Sequence, residues 1–462
     1  RSAYHSAIYE GTIQAGNGQT YPCTYEDLSD IYNEPYAGES GKNTMKLKMN
    51  PTYLEYLTVN DKQYAVPWAN GFMSFARNVT LWNSIGMTDA DIPYTTNQMF
   101  KTFDKIASKN KYALLYSRTA EYYTSIPNVW FGQYEGKDVQ DAYKNGIGPS
   151  GQCDSGLFTY TGIKKALEVL EVIADNEVGR KTTGQYQWTG NWTNPSSAYN
   201  DFTTVQSYFY GSGSVFCLNG TWLEIEMSKG GNESEIKGQN VDFIKIPVIS
   251  AITDKMDIGD TTNTAGFYIA SDADRDAKLA ELVKYVDQHP TVGDYQGKPS
   301  GVSDDDVDVV REARLYNSVQ GTDYDHLMMI PSWSRNKTEA KKFLKYIYSD
   351  EGLQIFYNKM EGHHLPAVKS TGEYTKLSNL TPFRQSANKI LEEGHFSGFD
   401  YIAEKAKIFC VGNVLTNFTN GISQGNFFTA MRDDNVSAES IFSQNKAYLS
   451  DNWSTISGKI GL

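Results

Sequence analysis

Apolar residues recur along this chain with two different spacings. Ile163, Ala166, Leu167, Leu170, Ile173 and Ala174 share one face of a 3.6-residue repeat, which predicts an amphipathic helix. Ala340, Phe343, Leu344, Ile347 and Tyr348 predict a second helix, and Asn336 with Glu339 three residues on predicts a capping box at its start. Gly352 is expected to interrupt or bend it. Short apolar runs at 112–116, 214–218, 241–248, 266–270 and 327–331 read as buried strands. Strands alternating with helices imply an α/β fold.

Two segments break the pattern, 182–197 and 290–303, both rich in turn-forming residues. The first carries Tyr186, Trp188 and Trp192. Large aromatics in a polar loop are either pinned to a core or offered to a ligand. Gly211-Ser212-Gly213 reads as a turn, since no third glycine or lysine follows.

A length of 462 residues exceeds what one hydrophobic core ordinarily supports, so two domains are expected. Aromatic content of 13% gives ample surface to bury and argues against disorder. The 32 tyrosines each offer a flat apolar face and a hydroxyl, which suits a wet binding surface. A net charge of −13 with no basic stretch disfavours nucleic acid and polyanions, and favours a neutral ligand. No apolar run reaches the roughly 18 residues a membrane span needs.

Reaction chemistry leaves little trace. Cys23, Cys153, Cys217 and Cys410 are far apart and make no zinc pattern, although one or two bridges are compatible with them. The six histidines, including the neighbours His363 and His364, fit no metal-binding spacing. There is no G-x-S-x-G and no phosphate loop. The alternating acids Asp304, Asp306, Asp308 and Asp272, Asp274, Asp276 lack the glycine and glutamate of a calcium loop, so they are expected to supply charge to helix N-termini. No catalytic residue, metal or cofactor is expected.

Several motifs in order carry a resemblance. They are Tyr64-Ala65-Val66-Pro67, Phe75-Ala76-Arg77-Asn78, Leu81-Trp82-Asn83-Ser84-Ile85-Gly86, the threonine-rich segment 93–103, and 202–222 ending in Gly220-Thr221-Trp222. The run 336–356 and then His364-Leu365-Pro366-Ala367 follow. Together they resemble the extracellular solute-binding proteins of family 1, the carbohydrate receptors of ABC importers related to the maltose-binding protein. The likeness spans roughly 28 to 370. Arg77-Asn78 stands where the family has Tyr-Asn, 1–26 have no counterpart, and 271–325 look like an insertion.

The resemblance implies a two-lobed α/β periplasmic-binding-protein-like fold with an interlobe ligand cleft and a hinge. Lobe 1 is expected at 1–117 plus 265–370, and lobe 2 at 118–264 plus 371–462. The function implied is capture of an oligosaccharide, an α-glucan or malto-oligosaccharide by slight preference, for ABC permease subunits. The chain would be a monomer outside the cell, held to the bacterial cytoplasmic membrane by a lipid upstream of Arg1. Ligand contacts are expected from Trp222, from Trp68 and Asn70 after Pro67, from Glu121, Tyr122 and Tyr123, and from Trp188, Trp192, Trp333 and Phe409. Trp130 reads equally well as core. A glycoside-active enzyme and a receptor for a non-sugar ligand are the alternatives. Oligosaccharide products would mark the enzyme.

Overall fold

The computed structural model describes residues 8, 11–14, 19–22, 24–39, 43–115, 117, 122–177, 192–194, 201–229, 236–258, 273–320, 326–361, 364, 366–368, 380–394 and 427–462. The strands that organise the molecule are β1 Ala65–Pro67, β2 Phe72–Asn78, β3 Leu114–Leu115, β4 Phe216–Gly220, β5 Val241–Ile244, β6 Val319–Gln320 and β7 Leu327–Met329. The helices that bear on function are α1 Thr96–Ala107, α2 Thr161–Glu177, α3 Phe202–Tyr210, α4 Leu223–Lys229, α5 Ala273–Gln288, α6 Asp304–Leu315, α7 Lys337–Ile347, α8 Asp350–Met360 and α9 Pro382–Glu393.

Strand β2 is the spine of the larger part. All seven of its residues are buried, because helices cover both faces of its sheet. Met73 and Phe75 point into one apolar cluster, and Phe72 and Ala76 into another on the opposite face. β2 pairs antiparallel with β4 from Met73↔Gly220 to Arg77↔Phe216. On its other side lie β5, from Phe75↔Ile244 to Asn78↔Val241, and β6 at Phe72↔Gln320 and Met73↔Val319. β3 runs parallel to β4. Arg77 is carried inside by a fork of hydrogen bonds to Asp242, Nε to Oδ1 at 3.0 Å and Nη2 to Oδ2 at 2.6 Å.

The smaller part has its own core, which runs from Leu28 to Val66 and resumes from Ile330 to Val368. There β1 and β7 pair antiparallel, and Tyr32 and Tyr348 donate hydroxyl protons to the carbonyls of Ala65 and Pro67, each at 2.6 Å. The described residues change core after Pro67, between Gln320 and His326, and between Val368 and Leu380.

The segment 72–117 was expected with lobe 1, yet β2 and β3 are built into the sheet of the larger core. Helices α5 and α6 and strand β6, within 265–370, join them there. β2 finds its partners well over a hundred residues later in the chain.

Most of the expected elements form. The apolar face of α2 is buried as its spacing predicts. The strands at 112–116, 214–218, 241–248 and 327–331 appear as β3, β4, β5 and β7, shifted or shortened; 266–270 lies outside the described residues. Ser212 takes a left-handed turn conformation after α3. The acidic run at α6 caps it: Ser303 Oγ and Asp306 satisfy each other's backbone N–H groups at 3.0 Å. Asp276 instead accepts the buried hydroxyls of Thr95 and Ser250 at 3.0 and 2.7 Å.

The helix expected from Asn336 differs. Asn336 makes no side-chain cap, and Phe343 is 61% exposed because Leu344 and Tyr348 supply the buried face. The break comes at Ser349, whose hydroxyl accepts the Gly352 N–H at 3.0 Å and starts α8. Gly352 is needed there because a β-carbon would run into the Tyr346 carbonyl.

Candidate ligand-binding site

Strand direction gathers the candidate residues. β2 is antiparallel to both β4 and β6, and β3 is parallel to β4. The start of β2 and the ends of β3, β4 and β6 therefore share one edge of the sheet. The crossing with Trp68 and Asn70 enters at that edge, and the crossing to His326 leaves from it. Tyr122 and Tyr123 follow β3, and Trp222 follows β4. Ligands collect at such edges because the connecting segments diverge there and leave a crevice.

Trp222 is half-buried. Its ring lies over Gly220, where a β-carbon would collide with it. Tyr122 packs beside it, ring centroids 6.0 Å apart at 60°, and the neighbouring Trp222 side chain weakly opposes the effect of burial on the Tyr122 hydroxyl. Burial pushes that hydroxyl up to about 12, so it is a neutral donor and acceptor near pH 7. A hollow beside the pair is lined by Ser117, Tyr122, Tyr123, Phe202, Leu218 and Asn219, among others.

Trp68 stands at the first crossing, half-buried, ringed by His326 at 5.0 Å, His364 at 6.0 Å and Phe356 at 6.2 Å. Its N–H donates to the His326 carbonyl at 3.3 Å, which ties the first crossing to the second. Asn70 accepts the Tyr53 hydroxyl at 3.0 Å and keeps a partly exposed amide.

Other expected contacts fall elsewhere. Tyr123 is buried, stacked on Phe428 at 4.7 Å and 16°, with its hydroxyl donating to the Leu115 carbonyl at 3.3 Å. Its ring borders the hollow but is held by the core. Trp192, expected at the ligand, is 0% exposed. It stacks on Phe100 at 5.8 Å and 15°, meets Phe103 edge-on, and its indole N–H donates to Asp104 at 2.7 Å. α1 has claimed it as core. Trp130 is also core, its N–H donating to the Pro247 carbonyl at 3.3 Å. Trp333 is 64% exposed on the smaller part, and no described contact joins it to the other rings. Glu121, Trp188 and Phe409 lie outside the described residues.

His326, Phe356, His364, Phe202, Ser117 and Asn219 were not among the expected residues. Only the position of His364 next to Pro366-Ala367 hinted at it. The rest reach this edge through pairings that spacing does not encode.

Cys217 lies beneath the hollow, and burial pushes its thiol up to about 12, which leaves it protonated and unreactive near pH 7. Among the described residues no three His, Cys, Asp or Glu side chains cluster closely enough to hold a metal ion, and no helix is long and apolar enough to cross a membrane.

No family model and no curated protein matches the chain. Solved structures do. A chitin oligosaccharide binding protein superposes with TM-score 0.54 at 13% identity, over 92% of this chain and 78% of its own. The ABC substrate-binding protein Lmo0181 from Listeria monocytogenes, in complex with cycloalternan, gives 0.53 at 12%, over 97% and 80%. The GacH receptor of Streptomyces glaucescens, known unliganded and with acarbose, gives 0.51 at 12%, over 97% and 88%. The chain has the two-lobed α/β fold shared by the solute-binding proteins of sugar ABC transporters.

Proposed function

We propose that this chain captures a sugar, most simply an oligosaccharide, in the crevice where its crossings meet the sheet edge, and presents it to an ABC permease without altering it. The observation that carries the reading is the convergence of half-buried aromatic rings, Trp222 with Tyr122 and Trp68 with its neighbours, on that edge. Pyranose rings have apolar C–H faces and a hydroxyl rim. Indole and phenol rings cover the faces, while Asn70, Ser117 and the Tyr122 hydroxyl offer partners for the rim. The ligands named for the superposed proteins, chitin oligosaccharide, cycloalternan and acarbose, are of this chemistry and support the same class here. An α-glucan is the first sugar to try. The net charge of −13 agrees with a neutral ligand.

A receptor that must also release its cargo works near micromolar affinity, about −8 kcal/mol. The expected setting is the outer face of the cytoplasmic membrane, with a lipid anchor upstream of Arg1 and the chain monomeric. A thermal-shift panel of maltotetraose, cellotetraose, xylotetraose, mannotetraose and chitotriose tests the reading. At least one should raise the melting temperature and be recovered intact by chromatography. Cleaved sugar would make the chain an enzyme, and no shift from any panel member would remove the sugar class.

A further inference from the structure

The two acids in the first turn of α4 have different surroundings. Glu224 is answered by a cation: Arg384 Nε donates to its Oε2 at 2.7 Å. Glu226 has no ion pair among the described residues. Its Oε2 accepts from Gln206 Nε2 at 2.7 Å. Gln206 is wholly buried on α3, and its own Oε1 is a buried oxygen without a hydrogen-bond partner among the described residues. Gln206 lies one turn along α3 from Phe202, which lines the hollow beside Tyr122.

Glu226 belongs to the aromatic pair by position. Its N–H donates to the Trp222 carbonyl at 3.0 Å, so the two residues stand one turn apart at the start of α4. Its charge also reaches the Tyr122 hydroxyl. Burial raises its carboxyl above the ordinary range, and the Gln206 amide draws it only partly back. A carboxylate taken half out of water with an amide and no cation beside it destabilises the fold unless further donors arrive. A sugar stacked on an indole brings donors, since its hydroxyl rim projects beyond the ring toward neighbouring groups.

We infer that Glu226 accepts hydrogen bonds from the hydroxyl rim of the sugar stacked on Trp222, and so selects ligands with free hydroxyls at that rim. The assignment rests on the sugar-receptor reading above. The probe is whichever panel oligosaccharide shifts the full wild-type chain most. Glu226→Gln keeps size and a partner for Gln206 but removes the charge. Its Kd should weaken about 10- to 100-fold, the scale of a hydrogen bond to a charged group. Its melting temperature without sugar should hold or rise, since a buried charge has gone. Glu224→Gln, acting at the neighbouring ion pair, should leave Kd within about threefold. An unchanged Kd in Glu226→Gln overturns the assignment. Equal losses in the two variants, or a fall in melting temperature that accompanies the loss of binding, overturn it too. If no panel sugar shifts the wild-type chain, the sugar reading fails first and takes this one with it. If sugar binds and Glu226→Gln binds it equally, only this assignment fails.

Discussion

At the scale of single residues, the same side chain does opposite work according to what surrounds it. Trp192 and Trp222 are both tryptophans beside a polar turn. Trp192 has lost all contact with solvent against Phe100, Phe103 and Asp104, whereas Trp222 keeps part of its ring open beside Tyr122. Trp192→Ala should therefore cost roughly 3–5 kcal/mol of stability, as large buried aromatics do, and should change sugar affinity little in molecules that remain folded. Urea unfolding followed alongside a titration checks this; a stable variant with weakened binding would place Trp192 at the ligand after all. The difference was only half legible in the sequence. A glycine that ends an apolar run before Trp222 marks a strand edge. The turn residues around Trp192 resemble any exposed loop, and nothing near them shows that α1, some ninety residues earlier, supplies its pocket.

At the scale of elements, helix periodicity was readable because it is local, and strand partnership was not because it is distant. The buried face of α2 follows from spacing alone. The assignment of β2 to the larger core follows from pairing with β4, β5 and β6, which no window around residue 75 contains. Ionic contacts between elements are equally hidden. Asp287 on α5 accepts from Arg314 Nε and Nη2 of α6, each at 2.8 Å, and from Lys245 just beyond β5 at 2.6 Å. Burial alone would raise its carboxyl, but the Arg314 guanidinium and the Lys245 ammonium overcome it and hold it at about 2. A depressed carboxyl stabilises the fold above its unfolded value near 4, and that contribution disappears as pH falls from about 4 to 2. Asp287→Asn should thus lower stability at pH 7 by on the order of 2 kcal/mol, and the gap to wild type should narrow as pH drops through that window. Urea midpoints at pH 7 and pH 3 decide it; a gap that stays constant would mean the group contributes by packing rather than charge.

At the scale of the whole molecule, the crossings matter most, because they set where two cores meet and what lines the meeting place. On the proposed reading a sugar seated there meets Trp68 on one crossing and Trp222 at the sheet edge, and binding of this kind is what closes hinged two-lobed receptors. In the proposed complex one unaltered sugar is gripped by rings from both places. Calorimetric titration of wild type, Trp68→Ala and Trp222→Ala with the best panel oligosaccharide tests it most directly. One site per chain is expected, with a loss of roughly 1–3 kcal/mol of binding free energy in each variant and no fall in melting temperature. Affinity unchanged in both variants would contradict it.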